Sequence, residues 1–247
     1  MGIRLKNRWA AEAFLKSYTE IFAAIYDTTT HDLGAVLLAY YGDAEVASFQ
    51  MEFFALDADP SAVLEAIRAY PIQPGETYVL NVAQTDDTPD ARYADLGFQY
   101  QHTYPLYGIE FPATLDVPPI AVFEVKRPAQ AMYVNETHLQ YEPMPVHIVG
   151  EPTIRQFFAK IDGQAVGWIQ LIQTVPNTAY INNLYTLPDF RRRGVAGALL
   201  NRVHQACAAD GVNHILLIPS DMAQHFYATH GYRPLLYFSV WSVWRPR

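Results

Sequence analysis

Cysteine is nearly absent from this sequence: Cys207 stands alone among 247 residues, so no disulfide can form within the chain. Charge is also scarce, at 17% Asp, Glu, Lys and Arg, and the basic residues are the minority, 17 against 25 acidic, which leaves a formal net charge of −8. That balance argues against a nonspecific nucleic-acid binder and leaves room for a cationic or amine-bearing partner. No run approaches the roughly 18 to 20 apolar residues that a membrane-spanning helix requires, so no membrane partner is expected. Met1 to Arg8 carry no charged, apolar and small secretory pattern. Together with the missing disulfides, this points to a reducing, cytoplasmic setting. What the chain does have is apolar mass: 51% of it is hydrophobic, enough for one large core or two modest ones.

Periodicity divides the chain. Phe14, Tyr18, Ile21, Phe22 and Ile25 recur at helical spacing within Trp9 to Tyr26. Val36 to Tyr41 and Val46 to Phe54 read as a hairpin about Gly42-Asp43, Pro60 to Tyr70 as a helix and Thr77 to Val82 as a strand. Thr114 to Pro119 is polar, proline-bearing and without period, which places a boundary near 115 to 125 and domains at 1–118 and 119–247. In the second half, Phe157 to Ile161 and Gln164 to Ile172 flank Asp162-Gly163, a pair suited to a tight hairpin turn. Ala179 to Thr186 follows as a strand. Val195, Leu199, Val203 and Ala206 make an apolar stripe on a helix from Gly194 to Ala209, which Gly211 ends. His214 to Ile218 is a strand, Asp221 to His230 a helix and Leu235 to Trp244 a long last strand. The fold class is α/β (α+β), in two mixed-sheet halves. Tyr93-Ala94-Asp95-Leu96-Gly97-Phe98 and Tyr227-Ala228-Thr229-His230-Gly231-Tyr232 share four positions. This is either the mark of a duplication or two helices ending on a glycine before a strand.

The chemistry concentrates between Tyr185 and Leu200, where a strand, a proline-marked loop and a glycine-bearing helix start succeed one another. A helix start presents N–H groups without intrahelical partners and the positive end of the macrodipole, so it can hold a phosphate. Gly194, Ala196 and Gly197 would let that phosphate approach the backbone, and Arg191, Arg192 and Arg193 would add forked donors. Three adjacent arginines also make an ordinary solvated face. The order of elements favours the phosphate site.

The run Arg191-Arg192-Arg193-Gly194-Val195-Ala196 resembles the motif of the GCN5-related N-acetyltransferase (GNAT) family: glutamine or arginine, two variable residues, glycine, one variable residue, then glycine or alanine. Ser220 to Tyr227 with Gly231-Tyr232 is similar to that family's later helix. The resemblance covers residues 120 to 245 well, while the first half shares element order and the Tyr93 to Phe98 echo, as in tandem members with one degenerate half. It implies acetyl transfer from acetyl-CoA directly to a primary amine of a small molecule or peptide. The backbone at Tyr185, Thr186 and Leu187 would pair with the pantetheine arm, and Arg191, Arg192, Arg193, Gly194, Val195, Ala196 and Gly197 would wrap the pyrophosphate. Tyr227 would protonate the departing thiolate. The first half, without such a motif, would bind no cofactor and would shape the acceptor cleft.

Two positions depart from the family pattern. Ser220 stands where asparagine is frequent, and serves either as helix N-cap or as cofactor contact. Asn182 and Asn183 replace the glutamate that often acts as base, so the sequence shows no general base. These departures keep a noncatalytic acyl-CoA sensor in play as the alternative. His204, His214, His225 and His230 have no metal-binding spacing, and no metal is expected. Cys207, on the apolar stripe, reads as a small buried hydrophobe. The oligomeric state, a homodimer included, is left open.

Overall fold

A computed structural model describes residues 5–26, 28–42 and 49–243. The expected strand residues 46–48, the turn residue Asp43 and Trp244 lie outside the described residues. The chain forms two compact units that interleave in sequence. One takes the residues up to Leu15, Phe22–Tyr107 and those from Arg233 on; the other takes Lys16–Ile21 and Gly108–Tyr232.

The first unit takes both ends of α1 (Arg8–Ile25), then β1 (Thr29–Asp32), β2 (Leu37–Tyr40), β3 (Met51–Leu56), α2 (Pro60–Ala69), β4 (Tyr78–Gln84), the short α3 (Arg92–Asp95) and β5 (Phe98–Glu110) as far as Tyr107. The final strand of the chain, here β11 (Arg233–Val243), also belongs to it and pairs antiparallel with β4, from Tyr237 opposite Gln84 to Ser242 opposite Val79. β2 and β3 pair antiparallel, as a hairpin requires, and β3 runs parallel to β4 with α2 as the crossover. The core on the α2 face joins Val63 and Ile67 to Met51, Phe53, Leu80, Tyr93 and Trp241. Phe14 of α1 packs with Phe238, which also meets Phe54.

The second unit contains β6 (Ala121–Glu124), α4 (Pro128–His138), β7 (Ile154–Ile161), β8 (Gln164–Val175), β9 (Thr178–Thr186), α5 (Val195–Ala209), β10 (His214–Leu217) and α6 (Gln224–Thr229). Its strands lie in the order β10-β9-β8-β7-β6. The β7–β8 hairpin turns on Asp162 and Gly163 at φ 48° and 85°, the two positive angles that an Asp-Gly turn supplies. α4 buries Ala131 and Val134 against Phe158, Ala165 and Trp168, and α5 packs against β7, β8 and β9. Each unit therefore contains a parallel strand pair bridged by a helix, β3–α2–β4 and β9–α5–β10, followed by a short tyrosine-bearing helix.

α4 carries no apolar stripe, and its start rests on polar contacts: Gln130 Oε1 accepts the backbone N–H groups of Lys126 and Arg127 at 2.9 and 3.0 Å. The helix expected over Asp221 to His230 splits into a 3-10 turn, Asp221–Ala223, and α6.

Candidate functional site

β9 changes partners along its length. Thr178 to Ile181 pair in parallel with His214 to Leu217 of β10, and the register then ends. From Asn183 to Thr186 the strand continues against β8, and Asn182 is an extra residue in the pairing, opposite the step from Gln170 to Leu171. A bulge of this kind redirects a strand and terminates pairing on one side. The backbone of Tyr185 and Thr186 is thereby left along a strand edge that an extended ligand can join. Thr186 Oγ1 is buried with no hydrogen-bond partner. Leu187, by contrast, is held: its N–H donates to Val166 O at 3.0 Å and its side chain is buried.

The turn after β9 delivers the helix start. Pro188–Phe190 form a 3-10 turn, Arg192 adopts a left-handed φ of 59°, and Gly194 follows at φ 83° as N-cap of α5. The first intrahelical bond is Ala198 N–H to Gly194 O, so the N–H groups of Val195, Ala196 and Gly197 precede the ladder. Arg191, Arg192 and Arg193 are exposed around them. Arg191 Nε donates to Thr186 O at 3.2 Å with its guanidinium over the Tyr185 ring, and Arg193 lies over Phe190. Three exposed arginines thus directly precede a helix N-terminus, a sequence of cationic and N–H groups able to hold an anion.

The two glycines of this helix start have a tighter reason than phosphate access. A Cβ on Gly194 would stand 2.7 Å from Pro118 Cγ, and one on Gly197 would stand 3.1 Å from Val117 Cγ1. The segment before β6 runs along α5: Leu115 N–H donates to Asn201 Oδ1 at 2.8 Å, and Ala113 O meets His204 Nδ1 at 2.8 Å. Gly194, Gly197, Asn201 and His204 form the face on which that segment lies. Gly167 of β8 makes the opposite approach possible, because a Cβ there would come within 2.7 Å of Tyr185 O and 3.0 Å of Val195 Cγ1.

Tyr227 is buried on α6, its ring against Phe226 and Tyr232 at centroid distances of 5.1 and 5.5 Å. Burial raises its pKa far above the ordinary tyrosine range, so it holds its proton at neutral pH. The neighbouring Tyr232 hydroxyl lies 2.9 Å from His204 Nε2. With His204 Nδ1–H donating to Ala113 O, Nε2 is the acceptor of the Tyr232 proton. Burial lowers the His204 pKa and keeps the ring neutral, so this histidine is a fixed buried link of the core. Ser220 is exposed and makes no side-chain cap bond; its carbonyl accepts from Ala223 and Gln224. Cys207 is buried, and desolvation pushes its thiol up to about 12.

Several residues near β9 carry no signal in the sequence. Asn183 Nδ2 donates to Glu142 Oε1 at 2.9 Å, and Trp168 Nε1 donates to Glu142 O at 2.9 Å, so the segment after α4 is tied to β8 and β9. Tyr141 stacks on Tyr185. His138 is fully buried, with Nδ1 against Val134 O and Nε2 without a partner; burial lowers its pKa. A spacing pattern cannot reveal these contacts, because α4 and its following loop meet β9 across a sheet. No group of three or more His, Cys, Asp or Glu able to hold a metal occurs among the described residues.

Residues 121–232 match the profile described as "Acetyltransferase (GNAT) family". This segment is a GNAT-family acyltransferase domain. The match takes in the β9 edge, the Arg191 to Gly197 turn and Tyr227, which is the geometry just described. Among solved structures, a GCN5-related N-acetyltransferase from Kribbella flavida aligns at a TM-score of 0.70 and 19% identity, over 92% of this chain and 96% of that one. A putative GNAT acetyltransferase from Novosphingobium aromaticivorans aligns at 0.55 and 14%, over 94% and 96%. A tandem GNAT protein from the clavulanic acid biosynthesis pathway aligns at 0.54 and 12%, over 84% and 78%. A search of curated proteins gives no match. The structural likenesses extend through both units and establish the mixed α/β fold; the GNAT profile lies within the second unit.

Proposed function

We propose that the GNAT domain transfers an acetyl group from acetyl-CoA directly to a primary amine of a small molecule or peptide. The observation that carries this reading is the end of β9–β10 pairing at Ile181, followed by a helix start that three exposed arginines directly precede. An extended pantetheine arm adds to the strand edge at Tyr185 and Thr186, which ends at the held Leu187, and the pyrophosphate meets the N–H groups and guanidinia between Arg191 and Gly197. Ser220, exposed at the start of the segment leading to α6, is a further cofactor contact. Tyr227, protonated because it is buried, donates a proton to the departing thiolate. Direct transfer fits the buried Cys207, whose raised pKa leaves almost no thiolate to form an acyl-enzyme.

The amine requires a base. Asn183, on the strand that lacks a glutamate, instead holds the Glu142 carboxylate, and we assign Glu142 as the group that removes the amine proton. The parallel β3–α2–β4 and β9–α5–β10 units, with Tyr93 and Tyr227 on the helices that follow, support a tandem duplication in which only the second copy kept the cofactor turn.

Glu142→Gln tests this assignment, because it keeps an acceptor for Asn183 Nδ2 and deletes the base. Its kcat at neutral pH should fall by about 100-fold or more, the low end of general-base catalysis, with acetyl-CoA affinity unchanged. A kcat within threefold of the parent would remove Glu142 from the chemistry.

A further inference from the structure

β8 is buried from Ala165 to Ile172, and one amide interrupts that stretch: Gln170 is 0% exposed. Its carboxamide is only half satisfied. Oε1 accepts from Asn182 Nδ2 at 2.9 Å, whereas Nε2 is buried with no hydrogen-bond partner. A buried donor left unmet costs stability, and a methionine of similar volume would fill the same place without that cost. Folding alone does not account for an amide at this position. Nor does a ligand, because the side chain is closed off on every side; the bond to Asn182 is what the amide supplies.

Asn182 is the extra residue of the β9 bulge, opposite the step from Gln170 to Leu171. Beyond it Asn183 stands directly opposite Gln170, and Tyr185 opposite Trp168. Side chains directly opposite one another share a face of the sheet. Here that is the face covered by α4, since Trp168 lies in one cluster with Ala131 and Val134. On it Asn183 Nδ2 donates to Glu142 Oε1 and Trp168 Nε1 to Glu142 O. Gln156, opposite Gln170 on β7, donates to Pro145 O at 3.2 Å. Three carboxamides thus form a row across β7, β8 and β9. The outer two hold the segment that carries Glu142, and Gln170 between them holds the bulge.

The place of a bulge decides which residue is paired and which is left over. Asn182 and Asn183 are the same residue type in succession, so either could serve as the extra one. With the bulge displaced to Asn183, Asn182 would stand opposite Gln170, and Asn183 would leave the position from which it meets Glu142. The Asn182–Gln170 bond separates the two arrangements. We propose that Gln170 is a positioning residue for acyl transfer: it fixes Asn182 as the extra residue and so keeps Asn183 aimed at the Glu142 carboxylate, an inference that rests on Glu142 as the base.

Gln170→Met in the full chain tests this, read by coenzyme A release from acetyl-CoA over a panel of primary amines, by calorimetry with acetyl-CoA and by thermal melting. The melting temperature should equal or exceed that of the parent, because the unmet donor is removed along with the one bond. Misplacing a reacting group by about 1 Å costs up to about 100-fold, so kcat should fall by about tenfold or more while acetyl-CoA affinity stays within about threefold. In the Glu142→Gln background the same change should lower kcat by less than about threefold, since the group it positions is already gone. Asn182→Ala deletes the other end of the bond at a half-buried position. It should reproduce the loss in kcat, and it carries the test if Gln170→Met does not fold. A kcat within about threefold of the parent in either folded variant overturns the proposal. So does an equal loss with and without the Glu142 carboxylate, the mark of a general disturbance of the fold. A parent that releases no coenzyme A with any amine overturns the acyl-transfer reading and this inference with it, whereas an active parent with unaffected variants overturns this inference alone.

Discussion

Replacing Gly194 by alanine separates two costs that the structure sets at one residue. The first is conformational: at φ 83° an L side chain is strained, by roughly 1 to 2 kcal/mol. The second is steric, because the new methyl would stand 2.7 and 2.9 Å from Pro118 Cγ and Cδ, so either the ring or the start of α5 must move. Overpacking of this kind costs about 1 to 3 kcal/mol. Gly163→Ala is the control for the first cost alone, since Gly163 has φ 85° and nothing within 4 Å of its Cβ position. Chemical denaturation of both variants should therefore show Gly194→Ala the less stable by about 1 to 3 kcal/mol, a further fall in melting temperature of a few degrees. Pro118→Ala should recover most of that difference, because it removes the two nearest atoms and leaves the Pro118 Cβ position at 3.4 Å. A double-mutant cycle reads this coupling directly. If the two glycine variants are equally stable, or if Pro118→Ala restores nothing, the segment before β6 does not lie on α5 as described.

Arg192→Ala with Arg193→Ala should weaken acetyl-CoA binding by about 100-fold in calorimetry. Both side chains are exposed, so each contact is placed near the low end of charge-assisted bonds, about 1.5 kcal/mol; unchanged affinity in the folded variant would move the cofactor elsewhere. Acid stability should depend on Glu124, whose pKa the Arg155 hydrogen bond at 2.8 Å holds below the ordinary carboxylate value. A carboxylate depressed in the folded state contributes stability that is present above its unfolded pKa of about 4.3 and is lost as pH falls through the lower folded value. Arg155→Met should thus reduce stability at pH 7 and flatten its decline below pH 4.3, and parallel pH profiles for parent and variant would refute the link.

The second unit was the more legible half because its local rules agree. Asp162-Gly163 could turn only with positive angles, the stripe from Val195 to Ala206 could face only a sheet, and both features stand where the residue pattern placed them. The helix α4 was invisible: its apolar residues spread around the axis, and its start is held by Gln130 rather than by an ordinary N-cap. The path of the chain was equally hidden, since a linear division assigns Arg233 onward to the second half, whereas β11 pairs with β4 and places Trp241 against Tyr93. Strand pairing between distant segments leaves no mark in local composition. For the site, the motif gave the arginines and glycines, but the reason for Gly194 and Gly197 lies partly in Pro118 and Val117, residues that read only as linker. Glu142 escaped notice for the same cause: its importance arises from a bond to Asn183 across 41 residues.

The most direct test of acyl transfer is coenzyme A release by the full chain and by Tyr227→Phe, measured with acetyl-CoA over a panel of primary amines. The parent should release coenzyme A above the amine-free rate with at least one acceptor. Tyr227→Phe keeps the ring that packs on Phe226 and Tyr232 and loses one hydroxyl, so its cofactor affinity should hold while kcat and kcat/KM fall together by about 100- to 10,000-fold. A parent chain that binds acetyl-CoA yet releases none with any amine, or a Tyr227→Phe kcat within threefold of the parent, would contradict the account.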